Sequence, residues 1–352
     1  MKVIIFIAAV LAALMLFVHP MECAASTAST SLPEKYLKGN ELELYREVLK
    51  NITAIAEGRQ NAEAFYINVS KPFANMQSYE EAIEKVMFFI HNYAPEYIYW
   101  SDSKGYLVYD NTLCGIVYGV SPAFQESGSE YKIKKNIIND AKEALSNAKE
   151  IVEKYQEKSD YEKVFGYAEE ICALTDYNYA AVEGDARLEN YGPWNMVYVF
   201  DRDTSTNVVC AGYARAFQYL CSLGGIECHY VTGTVSDGGG HAWNIVVIDG
   251  ENYFVDLTAC DSYSDRDIAR YHPYVMNSVK SSTEKGFVRY FSQAGNQSIR
   301  SYTYHEGEMK YLPESLRILT TKEYSGVSLY VVIVTAFTLA AGTALFLIKL
   351  KI

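Results

Sequence analysis

Apolar residues recur at helical spacing along the first half of the chain. From Glu41 to Glu57, Leu44, Val48, Ile52 and Ile55 fall three or four positions apart and predict an amphipathic helix. Ala82, Val86, Phe89 and Ile90 give a second one between Ser78 and His91, where Ser78 and Glu81 stand in a capping-box pattern. A long charged helix is expected from about 129 to 158, with Ile133, Ile137, Ala141, Leu145, Ala148 and Val152 inward, and another from Tyr161 to Leu174. Residues 97–122, rich in Tyr, Gly and Val, predict strands with a turn near Asp102–Gly105. Residues 26–35 are small and polar and read as a short linker.

The pattern changes further along. Asn207-Val-Val-Cys-Ala-Gly-Tyr-Ala opens a helix that Asn207 is placed to cap, with Ala214, Phe217, Leu220 and Cys221 inward and Gly224–Gly225 as its stop. Two strand-like runs then flank Asp249-Gly250, a two-residue hairpin signal: His241-Ala-Trp-Asn-Ile-Val-Val-Ile before it and Asn252-Tyr-Phe-Val-Asp-Leu-Thr after it. If Ile248 pairs with Glu251, Asp256 lies opposite Trp243. His241 shares a face with Trp243, so His241 and Asp256 become diagonal neighbours within side-chain reach. A three-residue loop would put them on opposite faces. Helices first and antiparallel strands later give an α+β class.

Both ends carry further apolar runs. Lys2, the run from Val3 to Val18 and the small residues Cys23, Ala24 and Ala25 have the form of a signal peptide over residues 1–25. Val327 to Ile348 is uncharged over 22 positions, and about 20 suffice to cross a bilayer as a helix. Lys349 and Lys351 follow, which places 349–352 as a cytoplasmic tail. The expectation is a single-pass protein at the cell membrane, the bulk of it extracytoplasmic. Composition fits a folded chain, with 49% hydrophobic and 21% charged residues. The net charge of −12 argues against a nucleic-acid partner.

Candidate chemistry centres on Cys210. In the first turn of its helix, the free N–H groups and the macrodipole favour a thiolate. A lone Cys is often simply a buried one, but His241 and Asp256 add what a thiol enzyme needs. A carboxylate that holds one imidazole nitrogen fixes the ring and leaves the other for the thiol. Cys210 is then the nucleophile, His241 the base and later the acid, and Asp256 the orienter. The Cys210 backbone N–H is an oxyanion donor candidate, and Trp194 a candidate helper. Asp261, Asp265 and Asp267 lack EF-hand spacing, and no CxxC is present, so neither metal nor cofactor is expected.

Cys210-Ala-Gly-Tyr-Ala, His241-Ala-Trp-Asn and Tyr253-Phe-Val-Asp256-Leu-Thr resemble the three motifs of the transglutaminase-like superfamily, as does their spacing of 31 and then 15 residues. The resemblance covers about residues 160–275. It implies a papain-like core, with a Cys-bearing helix on an antiparallel sheet that carries His and Asp, and an acyl-thioester intermediate. It also suggests a transglutaminase-like domain over 159–310, after a mostly helical region at 26–158. Val208 stands where the family often has Gly, and Ala259 where it often has Trp. Two functions follow: a membrane-anchored thiol enzyme acting on amide bonds of a protein or peptide, cell-wall peptides included, by acyl transfer or hydrolysis; or an inactive module of the same fold that serves binding or adhesion. No oligomeric state can be read from the chain.

Overall fold

The computed structural model describes residues 27–59, 64–101, 106–110, 113–117, 119–182, 192–235 and 239–261, and beyond them 277–278, 288–291, 297–300, 302–305, 307, 310–312 and 316. The first half builds helices α1 (Thr27–Tyr36), α2 (Asn40–Ala56), α3 (Met76–Tyr93) and α4 (Pro95–Ile98) around a small antiparallel sheet. That sheet consists of β1 (Ala64–Asn68), β2 (Tyr106–Asp110) and β3 (Leu113–Val117) in the order β1-β3-β2. Helices α5 (Lys135–Lys154) and α6 (Asp160–Leu174) follow. The apolar stripes set the packing: Leu44, Val48, Ile52 and Ile55 of α2 are buried, as are Ala82, Val86, Phe89 and Ile90 of α3.

Several ends differ from the sequence expectation. The segment expected as a linker is helix α1. The capping box of α3 starts at Asn75: its side chain accepts the Ser78 N–H at 2.9 Å, and Ser78 Oγ accepts the Asn75 N–H at 3.1 Å. Ser78 is therefore the returning member of the box, three positions into the turn, instead of its opener. Helix α5 begins only at Lys135, because the residues before it pair with the preceding loop. The Glu126 N–H reaches the Lys132 carbonyl at 2.7 Å, and the Lys134 N–H that of Phe124 at 2.9 Å.

The second half holds the short helices α7 (Tyr179–Val182) and α8 (Val197–Phe200), then α9 (Cys210–Leu223). Strands β4 (Glu227–Val235), β5 (Gly239–Ile248) and β6 (Glu251–Val255) lead into α10 (Leu257–Asp261). Four shorter strands complete it: β7 (Asn277–Ser278), β8 (Val288–Phe291), β9 (Gln297–Arg300) and β10 (Tyr302–Tyr304). The main sheet is antiparallel with the order β10-β4-β5-β6-β7, and β8 pairs with β9. Ile248 pairs with Glu251, and Asn244 with Val255, the register that a two-residue loop predicts. Asp249 and Gly250 turn the chain with φ of 54° and 80°, the left-handed values of a type I′ turn.

One continuous hydrophobic cluster runs from Leu32 through Trp100, Tyr167, Phe217 and Trp243 to Leu316, so the helical half and the sheet half share a core. A polar chain, buried at Tyr93 and His229 and exposed at Lys35, also ties them. The Tyr93 hydroxyl meets His229 Nδ1 at 2.6 Å, His229 Nε2 meets Glu227 at 3.1 Å, and Glu227 pairs with Lys35 at 2.8 Å. Complete burial lowers the pKa of His229, which keeps the ring neutral between its two partners.

The membrane reading is corrected. Among the described residues no helix is long and apolar enough to cross a membrane. The longest, α5 at 20 residues and α3 at 18, carry charges along their lengths, among them Asp140, Lys142, Glu143 and Lys149 in α5 and Glu80, Glu81, Glu84 and Lys85 in α3. The expected helix at 327–348 lies outside the described residues, as does the expected signal peptide at 1–25. Among the described residues the fold is thus an α+β core with no membrane-spanning helix. The membrane-anchored function, the membrane as partner and the single-pass localisation are corrected to that extent: no described helix supplies the anchor.

Candidate active site

Cys210 is the first residue of α9, and no side chain caps the helix. The N-cap position is Val209, in extended conformation with φ −98° and ψ 178°. Asn207, expected in that role, lies too early in the chain and is engaged elsewhere. Its side chain accepts the Asp176 N–H at 3.1 Å, and its carbonyl accepts the Asn178 amide at 3.0 Å. The helix therefore opens at the thiol with its first-turn N–H groups uncovered by any capping side chain. The Val209 N–H donates to the Pro193 carbonyl at 2.9 Å, which holds the segment around Trp194 beside the helix start.

Gly212 makes that seat possible. A Cβ there would stand 2.6 Å from Cβ of Val208 and 3.0 Å from the Pro193 carbonyl. Val208 is fully buried and fills the space that Gly212 leaves. The helix is pinned to the sheet by Asn244, whose amide donates to the Ala214 carbonyl at 2.9 Å.

His241 lies near the start of β5, opposite Gly233 of β4, where no side chain competes for its place. Its Nε2 meets Asp256 Oδ2 at 2.9 Å, and the Cys210 side chain lies close enough to add to the upward shift of the imidazole pKa. Nδ1 is the nitrogen left for the thiol. Asp256 is fully buried at the end of β6 and is satisfied on both oxygens. Oδ2 also accepts the Tyr302 hydroxyl at 2.7 Å, and Oδ1 accepts the Ala259 N–H at 3.2 Å, in the first turn of α10. Trp243 stacks beside the imidazole at 6.2 Å between ring centres, with Tyr302 at 6.0 Å. Burial lowers the His241 pKa, but the charge and hydrogen bond of Asp256, with Cys210 adding, outweigh it and lift the value to about 10.

The structure thus places Cys210, His241 and Asp256 together. Trp194 sits on the rim, 44% exposed, its ring against Gly192 and its carbonyl accepting from Arg215 at 3.4 Å. Tyr302, which completes the Asp256 environment, was not singled out from the sequence. It comes 46 residues later on a three-residue strand, and only the alternation Tyr302-Thr-Tyr304 hints at its place. Among the described residues, no group of three or more His, Cys, Asp and Glu is placed to hold a metal ion. Asp261 instead accepts the Tyr213 hydroxyl.

A helix that presents a thiol to a His–Asp pair on an antiparallel sheet is consistent with a transglutaminase-like α+β fold. Residues 147–257 match the family profile described as "Transglutaminase-like superfamily", a stretch that closes just past Asp256. Human kyphoscoliosis peptidase is 32% identical over 112 residues, which cover 28% of this chain and 16% of that protein. A solved structure titled "Crystal structure of a TGase" is similar at 17% identity, with a TM-score of 0.28 and 44% of each chain covered. The profile and the human relative support the superfamily fold at low identity, and with it enzymatic potential. The chain spans less than a fifth of the human relative's length.

Proposed function

We propose that the protein is a cysteine-dependent enzyme that acts on amide bonds of a protein or peptide, with Cys210 as nucleophile, His241 as acid and base, and Asp256 as orienter. The observation that carries this reading is the imidazole hydrogen-bonded to buried Asp256 at 2.9 Å, with the Cys210 side chain near enough to raise its pKa further. In the reaction the Cys210 thiolate attacks the amide carbonyl, and the oxyanion formed takes a hydrogen bond from the Cys210 N–H at the uncapped helix start. The imidazolium of His241 gives its proton to the leaving amine, and an acyl-thioester remains on Cys210. Neutral His241 then takes a proton from the incoming nucleophile, and the thiolate leaves. Water gives hydrolysis and an amine gives transamidation. Residues 159–310 would carry the chemistry, residues 26–158 would buttress the sheet, and Trp194 would wall the groove.

Val208 and Ala259 do not favour the inactive binding module. Val208 is accommodated by Gly212, and the Ala259 N–H supports Asp256 whatever its side chain. The test is iodoacetamide labelling of Cys210 across pH, in the wild type and in His241→Ala and Asp256→Asn variants. Fast labelling near neutral pH, slowed about tenfold or more in His241→Ala, supports the enzyme. Labelling as slow as that of a free thiol, unchanged in the variants, sinks it and leaves a binding module.

A further inference from the structure

A cavity of about 820 Å³ opens between α3, α9 and β4. Arg215, Tyr230, Thr232, His91, Glu84 and Lys310 line it. Tyr230 joins this space to the thiol: it clusters with Ala214 and Ala242, and Cys210 and Ala211 pack against that cluster. Arg215 sits on the Cys210 helix, five residues on, or about 7.5 Å along the axis at 1.5 Å per residue.

Among the described residues, the charges lining the cavity do not close. Glu84 is paired with Lys310 at 2.8 Å. Burial, with the Arg215 charge, lowers the pKa of His91 to about 4, so that ring is neutral near pH 7. Arg215 has no carboxylate partner among the described residues. Its guanidinium lies over the Tyr230 ring at 5.0 Å and makes one long bond, 3.4 Å, to the Trp194 carbonyl. Its Nε is buried without a hydrogen-bond partner. A buried donor left unpaired is costly, and a guanidinium fork matches a carboxylate best.

We propose that this cavity is a substrate subsite in which Arg215 binds a carboxylate of the peptide, placed within a few residues of the amide that reaches Cys210. The aromatic walls, Phe88, Tyr230 and Tyr311, take the flanking side chains. The one cation left unpaired among the described residues matches one negative charge. An acidic side chain and a free chain terminus present the same group, so either can fill the site. The inference rests on the enzymatic reading for the meaning of the subsite, but its test does not require turnover.

The experiment uses the full chain carrying Cys210→Ala and fluorescence polarisation with three labelled pentapeptides: Ala-Ala-Gln-Ala-Glu-amide, its Gln-amide counterpart, and Ala-Ala-Gln-Ala-Ala with a free carboxylate. The Glu peptide or the free acid is expected to bind about tenfold or more tightly than the neutral one, and whichever does so identifies the source of the carboxylate. Arg215→Gln should remove that preference, and Arg215→Lys should keep part of it. Equal binding of all three, no saturable binding of either acid, or a preference that survives Arg215→Gln overturns the proposal. If Arg215→Gln fails to fold by circular dichroism, the peptide comparison and the Lys variant decide. An inert thiol with intact, Arg215-dependent acid binding would refute the enzyme and leave the subsite standing.

Discussion

The Tyr302 hydroxyl donates at 2.7 Å to the same oxygen of Asp256 that meets His241 at 2.9 Å. The two donors arrive from different strands, β10 and β5, and together with the Ala259 N–H they hold a carboxylate that has no access to water. Tyr302 is a positioning residue: it acts on the imidazole through Asp256.

Tyr302→Phe keeps the ring packing against Trp243 and Phe254 and removes only the hydroxyl. A hydrogen bond to a buried charge contributes about 1.5–3 kcal/mol, and denaturant unfolding should show a loss of that order. Iodoacetamide labelling of Cys210 should slow as the imidazole loses its fixed orientation, and Tyr302→Leu should slow it no less. A stability loss with unchanged labelling would reduce Tyr302 to a structural role.

Asp256→Asn removes the strongest upward influence on His241 and leaves burial opposed only by Cys210. The His241 pKa should then fall well below about 10, which an NMR titration of the imidazole reads directly. The sign for stability follows. In the wild type His241 gains affinity for its proton on folding, so the stabilisation is fully present below about pH 6.5 and is lost as pH rises through about 10. The variant should show no such decline in that window. A decline that persists in Asp256→Asn would assign it to another group.

Gly212 and Val208 form a second testable pair. Gly212→Ala drives a methyl to 2.6 Å from Val208 Cβ, and overpacking of this kind costs about 1–3 kcal/mol. Val208→Gly, destabilising alone through its cavity, should partly rescue Gly212→Ala. Thermal unfolding of the four proteins in a double-mutant cycle measures the coupling, and additive effects would mean that Pro193 supplies the clash.

The legible parts of the molecule were local. Asp249-Gly250 sets the hairpin register, because a type I′ turn allows only one pairing of its flanks, and that register carries His241 towards Asp256. The stripes of α2 and α3 were legible for the same reason: periodicity is a property of neighbours. What the sequence hid depends on distant partners. Asn207 has a capping residue's chemistry, yet the Asp176 N–H claims its side chain. Tyr302 and Arg215 gain their roles from strands and cavities that no short stretch encodes.

The chain Tyr93–His229–Glu227–Lys35 has a consequence for how far the site can be divided from the rest. It crosses 136 residues at one link and 192 at another. Residues 147–257 contain Cys210, His241 and Asp256, but not Tyr93, Lys35 or Tyr302. The segment shared with relatives is therefore smaller than the segment that folds. Cut out alone, it would bring Cys210, His241 and Asp256 without the neighbours that keep His229 and Asp256 dry, and the sheet beneath them would have no floor.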